Sequence, residues 1–202
     1  MYNYTHSPKE ALAVDFIGGK GYNLTICTKA FYDEILTFKD DVKTGNLTYF
    51  SDKLTDIVAK IMCFNTENKH FTPCKVKKMF VFDGKKIDYE AMSKLFCAYY
   101  DFIAEIESSQ KYQLPYYPYG VSEKIYFVTY TQSEKYVSDY SGLNFKEIEE
   151  LPLDAYLMLL HDAYIYYLSK SKEGREYLEN AYILMQTKPD RKALRAKYGR
   201  KE

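Results

Sequence analysis

The C-terminal quarter of the chain constrains the fold most, because it reads as successive helices with apolar residues on more than one side. From Leu151 to Gly199, apolar residues recur at helical spacing, with tyrosines on nearly every turn. Pro152 opens the longest helix, which we expect to end near Ser169. A helix that is apolar nearly all round is packed on several sides. The pattern therefore indicates packing or assembly rather than chemistry.

Two further helices are predicted after this one. The first covers Glu173 to Gln186, and the second covers Pro189 to Tyr198, with Gly199 as its C-cap. We expect Leu157 and Leu160 in the core of this C-terminal unit of two to three helices.

The N-terminal part alternates strand-like and helical patterns. Tight-turn signals at Gly18–Gly21 and at Asp83–Gly84 predict two β-hairpins. Asp88 is placed to cap a helix that runs to about Glu107. Other elements are predicted as a helix over 29–38, a helix over 47–64, a strand over 125–131, a turn over 138–143 and a capping box over 144–147.

These elements predict an α+β fold. Its N-terminal part has short β-hairpins and helices, and its C-terminal part is the helical unit. The Pro- and Tyr-rich loop near Pro115 suggests an α+β domain over 1–112 and a strand plus helical unit over 113–202. The two could also form one continuous domain.

Composition restricts the partners and the compartment. Apolar residues make up 47% of the chain, as in globular proteins, and 28 basic residues balance 28 acidic ones. No global field therefore attracts nucleic acid or a membrane. Zero net charge lowers the solubility of a free monomer, which a subunit of a larger assembly can tolerate. The chain shows neither a signal-peptide pattern nor a membrane-spanning apolar run, so we expect a cytoplasmic or virion protein that is not secreted.

Tyrosine is unusually frequent, with 23 residues against no tryptophan. A tyrosine ring offers a large apolar face and a polar tip, which suits half-buried interface positions. An AT-rich genome, which favours the codons for Tyr, Lys and Asn, explains the same excess equally well.

Candidate chemistry is weak throughout the sequence. Cys27, Cys63, Cys74 and Cys97 lack the CxxC spacing of zinc sites, so we expect reduced thiols that are mostly buried. Gly18–Gly21 includes a lysine but does not match a phosphate-binding loop. His161 and Asp162 are adjacent on a helix, where side chains diverge by about 100°, so we expect no dyad between them. The sequence assigns no catalytic, cofactor-binding or metal-binding residue.

Two segments carry predicted partner-binding residues. The first is the loop 115–120, with Tyr116, Tyr117 and Tyr119 held between prolines as a stiff contact patch. The second is the basic tail, residues 188–202, which has seven bases against two acids. Its predicted contact residues are Arg191, Lys192, Arg195, Lys197, Arg200 and Lys201. We expect the tail to dock on an acidic protein or a nucleic acid backbone and to be dispensable for folding.

These features predict a non-enzymatic subunit without cofactors that binds other protein subunits as a homo- or hetero-oligomer. The tyrosine- and lysine-rich composition without tryptophan is typical of phage-encoded proteins of AT-rich hosts, which favours a bacteriophage virion or virion-assembly protein. A small adaptor or inhibitor of a host complex is the second hypothesis, and an enzyme of unknown type is the third.

Overall fold

The computed structural model describes residues 12–16, 20–43, 50–63, 74–76, 79–82, 85–118 and 129–186. Within these ranges, side chains are described at 24–42, 52–62, 88–118 and 129–186. The predicted helix over 189–198 and the start of the predicted strand over 125–131 lie outside the described residues.

Seven helices and five short strands follow one another along the described chain. The strands are β1 (Leu12–Phe16), β2 (Lys20–Leu24), β3 (Cys74–Val76), β4 (Met79–Phe82) and β5 (Lys85–Ile87). The helices are α1 (Lys29–Lys43), α2 (Phe50–Cys63), α3 (Tyr89–Ser108), α4 (Gln132–Ser141), α5 (Phe145–Glu149), α6 (Leu153–Ser169) and α7 (Lys172–Met185), with a short 3₁₀ turn over Gln110–Tyr112.

The predicted α+β class is wrong, because the protein is helical. Where side chains are described, 79% of the residues are helical and no complete strand is present. The strands have three to five residues and lie in separate two- and three-stranded antiparallel sheets. Sheets this small have little face to bury, so the helices supply the core.

The chain divides into two compact units. Unit 1 contains Met1–Ser109 and Glu149–Tyr156, and unit 2 contains Gln110–Ile148 and Leu157–Glu202. Unit 1 is therefore built from two separate stretches of sequence.

The described core of unit 1 comes mainly from α1, α2 and α3. Apolar residues at helical spacing give each helix a buried stripe, as in Ile35, Ile61 and Ile103, which are at most 1% exposed. Asp88 accepts a hydrogen bond from the Ala91 N–H at 2.9 Å, so the predicted cap of α3 is confirmed.

The stretch 149–156 is fastened to the N-terminal stretch of unit 1 by backbone hydrogen bonds. The Lys29 N–H donates to the Leu151 carbonyl at 2.8 Å, and the Leu153 N–H donates to the Cys27 carbonyl at 2.9 Å. The buried Lys29 side chain lies 2.5 Å from an Asp33 oxygen and 5.2 Å from the centre of the Tyr156 ring. Unit 1 is thus completed only by residues far along the sequence.

Unit 2 contains α4, most of α5, the greater part of α6, and α7. The predicted turn over 138–143 is wrong, because α4 continues to Ser141 and ends at Gly142 in the left-handed conformation (φ 78°). The described end of the predicted strand over 125–131 is also wrong, since Tyr130 and Thr131 form a turn before α4. Asn144 and Glu147 exchange side chain–backbone hydrogen bonds of 2.8 and 3.0 Å, which confirms the capping box.

Helix α6 is less completely buried than its sequence predicts. Leu157 is buried as expected, but Leu160 is only half-buried. Met158, Tyr166 and Tyr167 are 38%, 50% and 54% exposed. Tyr166 and Tyr167 can stay at the surface because their hydroxyl tips are hydrated.

Helix α7 follows α6 after a short turn and packs closely on it at Gly174. A Cβ atom at Gly174 would lie 1.9 Å from the Leu168 carbonyl oxygen, so any other residue there requires the backbone to shift. None of the helices in the described ranges has the length and apolar character to cross a membrane.

A candidate protein-interaction surface

Tyrosines of α4 and α6 pack ring against ring in unit 2. The Tyr136 ring centre lies 5.0 Å from that of Tyr167 and 6.3 Å from that of Tyr164. The Tyr140 and Tyr166 ring centres are 5.5 Å apart. Aromatic pairs at these separations attract beyond their burial alone. The rings therefore hold one another in place.

A second group of tyrosines joins α6, α7 and the loop before residue 119. Tyr164 shares a hydrogen bond with Tyr177, and burial followed by this bond raises the pKa of Tyr164 to about 12. The Tyr117 N–H donates to the Tyr177 hydroxyl at 3.0 Å, and the Tyr177 hydroxyl donates to the Pro115 carbonyl at 3.3 Å. The Tyr117 and Tyr177 rings meet edge to face. These contacts hold α6, α7 and the loop together within unit 2, so this second group of tyrosines has a structural role.

Part of the first group faces solvent. We call Tyr140, Tyr166 and Tyr167 the tyrosine face; they are 39%, 50% and 54% exposed. The Lys170 ammonium lies 4.3 Å above the centre of the Tyr166 ring. Half-exposed rings whose orientation is fixed lose little entropy on binding, which suits a protein contact.

The predicted loop tyrosines with described side chains differ in their exposure to solvent. Tyr116 is 69% exposed, so it is available for a contact. Tyr117 is half-buried and packs on Tyr177, as described above. Tyr119 and all the predicted contact residues of the basic tail, from Arg191 to Lys201, lie outside the described residues.

The sequence did not single out the tyrosine face. The missed signal was Tyr136 and Tyr140, four residues apart and thus on one side of a helix. The prediction of a turn over 138–143 hid this spacing.

The prediction that His161 and Asp162 do not contact each other is wrong. His161 Nδ1 lies 3.3 Å from Asp162 Oδ1, although the two residues are adjacent on α6. Both side chains are long enough to bend toward each other despite diverging at their Cβ atoms. The Asp162 side chain is 47% exposed, so water competes for this contact.

The two cysteines with described side chains are free thiols in different surroundings. Cys27 is buried, and burial raises its pKa to about 12, which keeps the thiol protonated and unreactive. Cys97 is exposed, so it is an exception to the prediction that the cysteines are mostly buried. Cys63 and Cys74 lie outside the described side chains. Among the residues that the structure describes, no group of His, Cys, Asp and Glu side chains is arranged to hold a metal ion.

An open groove of about 230 Å³ lies between α1 and α2 in unit 1. Phe38 and Ile57 contribute apolar surface to it, and Glu34, Asp41 and Asp56 contribute carboxylates. Lys53 lies 2.7 Å from an Asp41 oxygen, and Lys60 lies 2.6 Å from both Glu34 oxygens. Ion pairs therefore hold the Asp41 and Glu34 carboxylates.

Comparison of the chain with protein-family models, curated proteins and solved structures found no match.

Proposed function

We propose that this protein is a non-enzymatic subunit that binds other proteins, as a structural or assembly component of a bacteriophage virion. The observation that carries the proposal is the tyrosine face, where Tyr140, Tyr166 and Tyr167 are half-exposed yet fixed by neighbouring rings. Tyrosine is enriched among the residues that dominate binding energy at protein interfaces.

The sequence supports the same function. Tyrosine accounts for 23 of the 202 residues, and acidic and basic residues are equal in number. A chain without net charge has little repulsion against its own copies, which favours association. The assignment to a virion rests on composition alone.

Affinity capture with a matched variant tests the proposal. The tagged chain is expressed in its native host background, and co-purifying proteins are identified by mass spectrometry. The face variant, Tyr166→Ser with Tyr167→Ser, should stay folded and lose its partners. The control is Tyr182→Ser on α7, which removes a tyrosine that is 68% exposed outside the face and should retain them.

The nature and size of the captured complex decide between the hypotheses. Virion proteins in large or ring-like species by sedimentation support the proposal. A discrete complex with a host protein indicates the adaptor or inhibitor instead. If the wild-type chain captures no protein, both the virion-subunit proposal and the adaptor or inhibitor hypothesis are contradicted.

A further inference from the structure

The charges of the chain are divided between its body and its C-terminal end. The whole chain has 28 basic and 28 acidic residues, and the basic tail holds seven of the bases and two of the acids. The body, residues 1–187, therefore has 21 bases and 26 acids, a net charge of −5 against +5 for the tail. The tail of one copy is thus electrostatically complementary to the body of another.

The tyrosine face has the chemistry to hold cationic side chains. The face of an aromatic ring is electron-rich and attracts an ammonium or guanidinium group. Within the face itself, the Lys170 ammonium lies 4.3 Å above the Tyr166 ring centre. Elsewhere, Lys111 lies 4.5 Å above the Tyr112 ring centre and Lys29 lies 5.2 Å from that of Tyr156. Lysine on tyrosine is therefore a contact that this chain makes repeatedly.

Two exposed carboxylates lie next to the face. Asp139 precedes Tyr140 on α4, where it pairs with Lys135 at 2.6 Å, and its side chain is 61% exposed. Asp162 lies one turn before Tyr166 on α6, and its side chain is 47% exposed. Arginine, which forms three of the seven bases in the tail, both stacks on aromatic rings and pairs with carboxylates.

We propose that the tyrosine face of one copy binds the basic tail of a second copy. This inference rests on the proposed function, since it names the partner of the same surface. The face and the tail are different surfaces, so the contact is heterologous, and each copy can bind one neighbour at each side. Successive contacts of this kind build rings or open chains.

The test uses three full-length proteins: the wild type, the face variant (Tyr166→Ser, Tyr167→Ser) and a tail variant (Arg191→Glu, Arg195→Glu, Lys197→Glu). Sedimentation velocity at low salt measures the association of each alone. The wild type should form species larger than a dimer, and salt should weaken them because ions screen contacts over about 8–10 Å. Each variant alone should associate at least about tenfold more weakly, the factor that corresponds to about 1.4 kcal/mol.

Mixing the two variants gives the decisive result. The face variant still carries an intact tail, and the tail variant still carries an intact face, so the mixture should form one-to-one complexes and nothing larger. A charge-conserving control (Arg191→Lys, Arg195→Lys, Lys197→Arg) should keep at least part of the association of the wild type, and Tyr182→Ser should associate fully. Circular dichroism confirms that each variant is folded.

Three outcomes overturn the inference: a wild type that remains monomeric at low salt, variants that associate like the wild type, or a mixture that stays monomeric. A tail that binds the body of its own copy gives the first outcome. In each case the proposed function stands if affinity capture still finds virion proteins, and it fails if capture finds only a host protein or no protein.

Discussion

At Gly174 the first turn of α7 lies close to the backbone of Leu168 in α6. Because a Cβ there would lie 1.9 Å from the Leu168 carbonyl oxygen, Gly174→Ala should force the helices apart. We expect a loss of at least about 1–3 kcal/mol in the free energy of unfolding, measured by urea denaturation.

Gly142 is the matched control for this glycine. Its φ of 78° disfavours alanine, but nothing lies within 4 Å of an added Cβ. Gly142→Ala should therefore cost only about 1 kcal/mol, as backbone strain alone. Equal losses in the two variants would contradict the close approach at Gly174.

Leu157 and Leu160 are three residues apart on α6 but differ in burial. Leu157 is 9% exposed, whereas Leu160 is half-buried. Leu157→Ala should lower the free energy of unfolding by about 2–5 kcal/mol, and Leu160→Ala should lower it by less than about 2 kcal/mol. Equilibrium denaturation of both variants checks the register of α6, which is wrong if the order is reversed.

At the scale of single elements, the start of α3 depends on one side chain. Asp88 accepts the hydrogen bond of the Ala91 N–H, and its charge lies at the positive end of the helix. Asp88→Ala should cost about 0.5–2 kcal/mol of stability, measured by thermal denaturation. Asp101→Ala, at an exposed position within α3, is the control and should cost less.

The sequence predicted helices best where apolar spacing and a cap agreed. Asp88 and the pair Asn144–Glu147 mark the starts of α3 and α5, since a cap is a local interaction and needs no knowledge of the fold. Helix α4 was missed because Gln132 to Ser141 contains few apolar residues, and Val137 is the one residue of this helix that is fully buried. The tyrosine face was missed as a consequence, since it forms only where α4 lies beside α6.

The fold class was wrong because short-range turn signals do not reveal the size of a sheet. Asp83–Gly84 predicts a hairpin, but nothing in those residues limits its strands to three or four residues. How much surface a hairpin buries depends on distant helices.

For the molecule as a whole, buried thiol and phenol groups predict sensitivity to alkali. Burial raises the pKa of Cys27 from 9.0 to about 12 and that of Tyr164 from 10.0 to about 12, and it also raises the pKa of Tyr99. A raised pKa in the folded state means that the unfolded state loses its protons first as the pH rises. The contribution of these groups is therefore complete below about pH 9 and is lost between about pH 9 and 12.

Urea denaturation from pH 8 to pH 11 measures this loss. Each group can contribute a slope of at most about 1.4 kcal/mol per pH unit. Cys27→Ala and Tyr164→Phe should each make the decline shallower, apart from any constant loss of packing. A free energy of unfolding that stays constant up to pH 11 would show that these groups are solvated in the folded protein.

The return of the chain to unit 1 at Glu149–Tyr156 has a consequence for synthesis on the ribosome. The N-terminal stretch cannot form its hydrogen bonds to Leu151 and Leu153 until those residues leave the exit tunnel, by which time much of unit 2 has been made. Domains that are continuous in sequence can fold one after another during translation. Here the first unit must wait for the second to be partly synthesised, so a nascent chain arrested before Leu151 should remain open to protease.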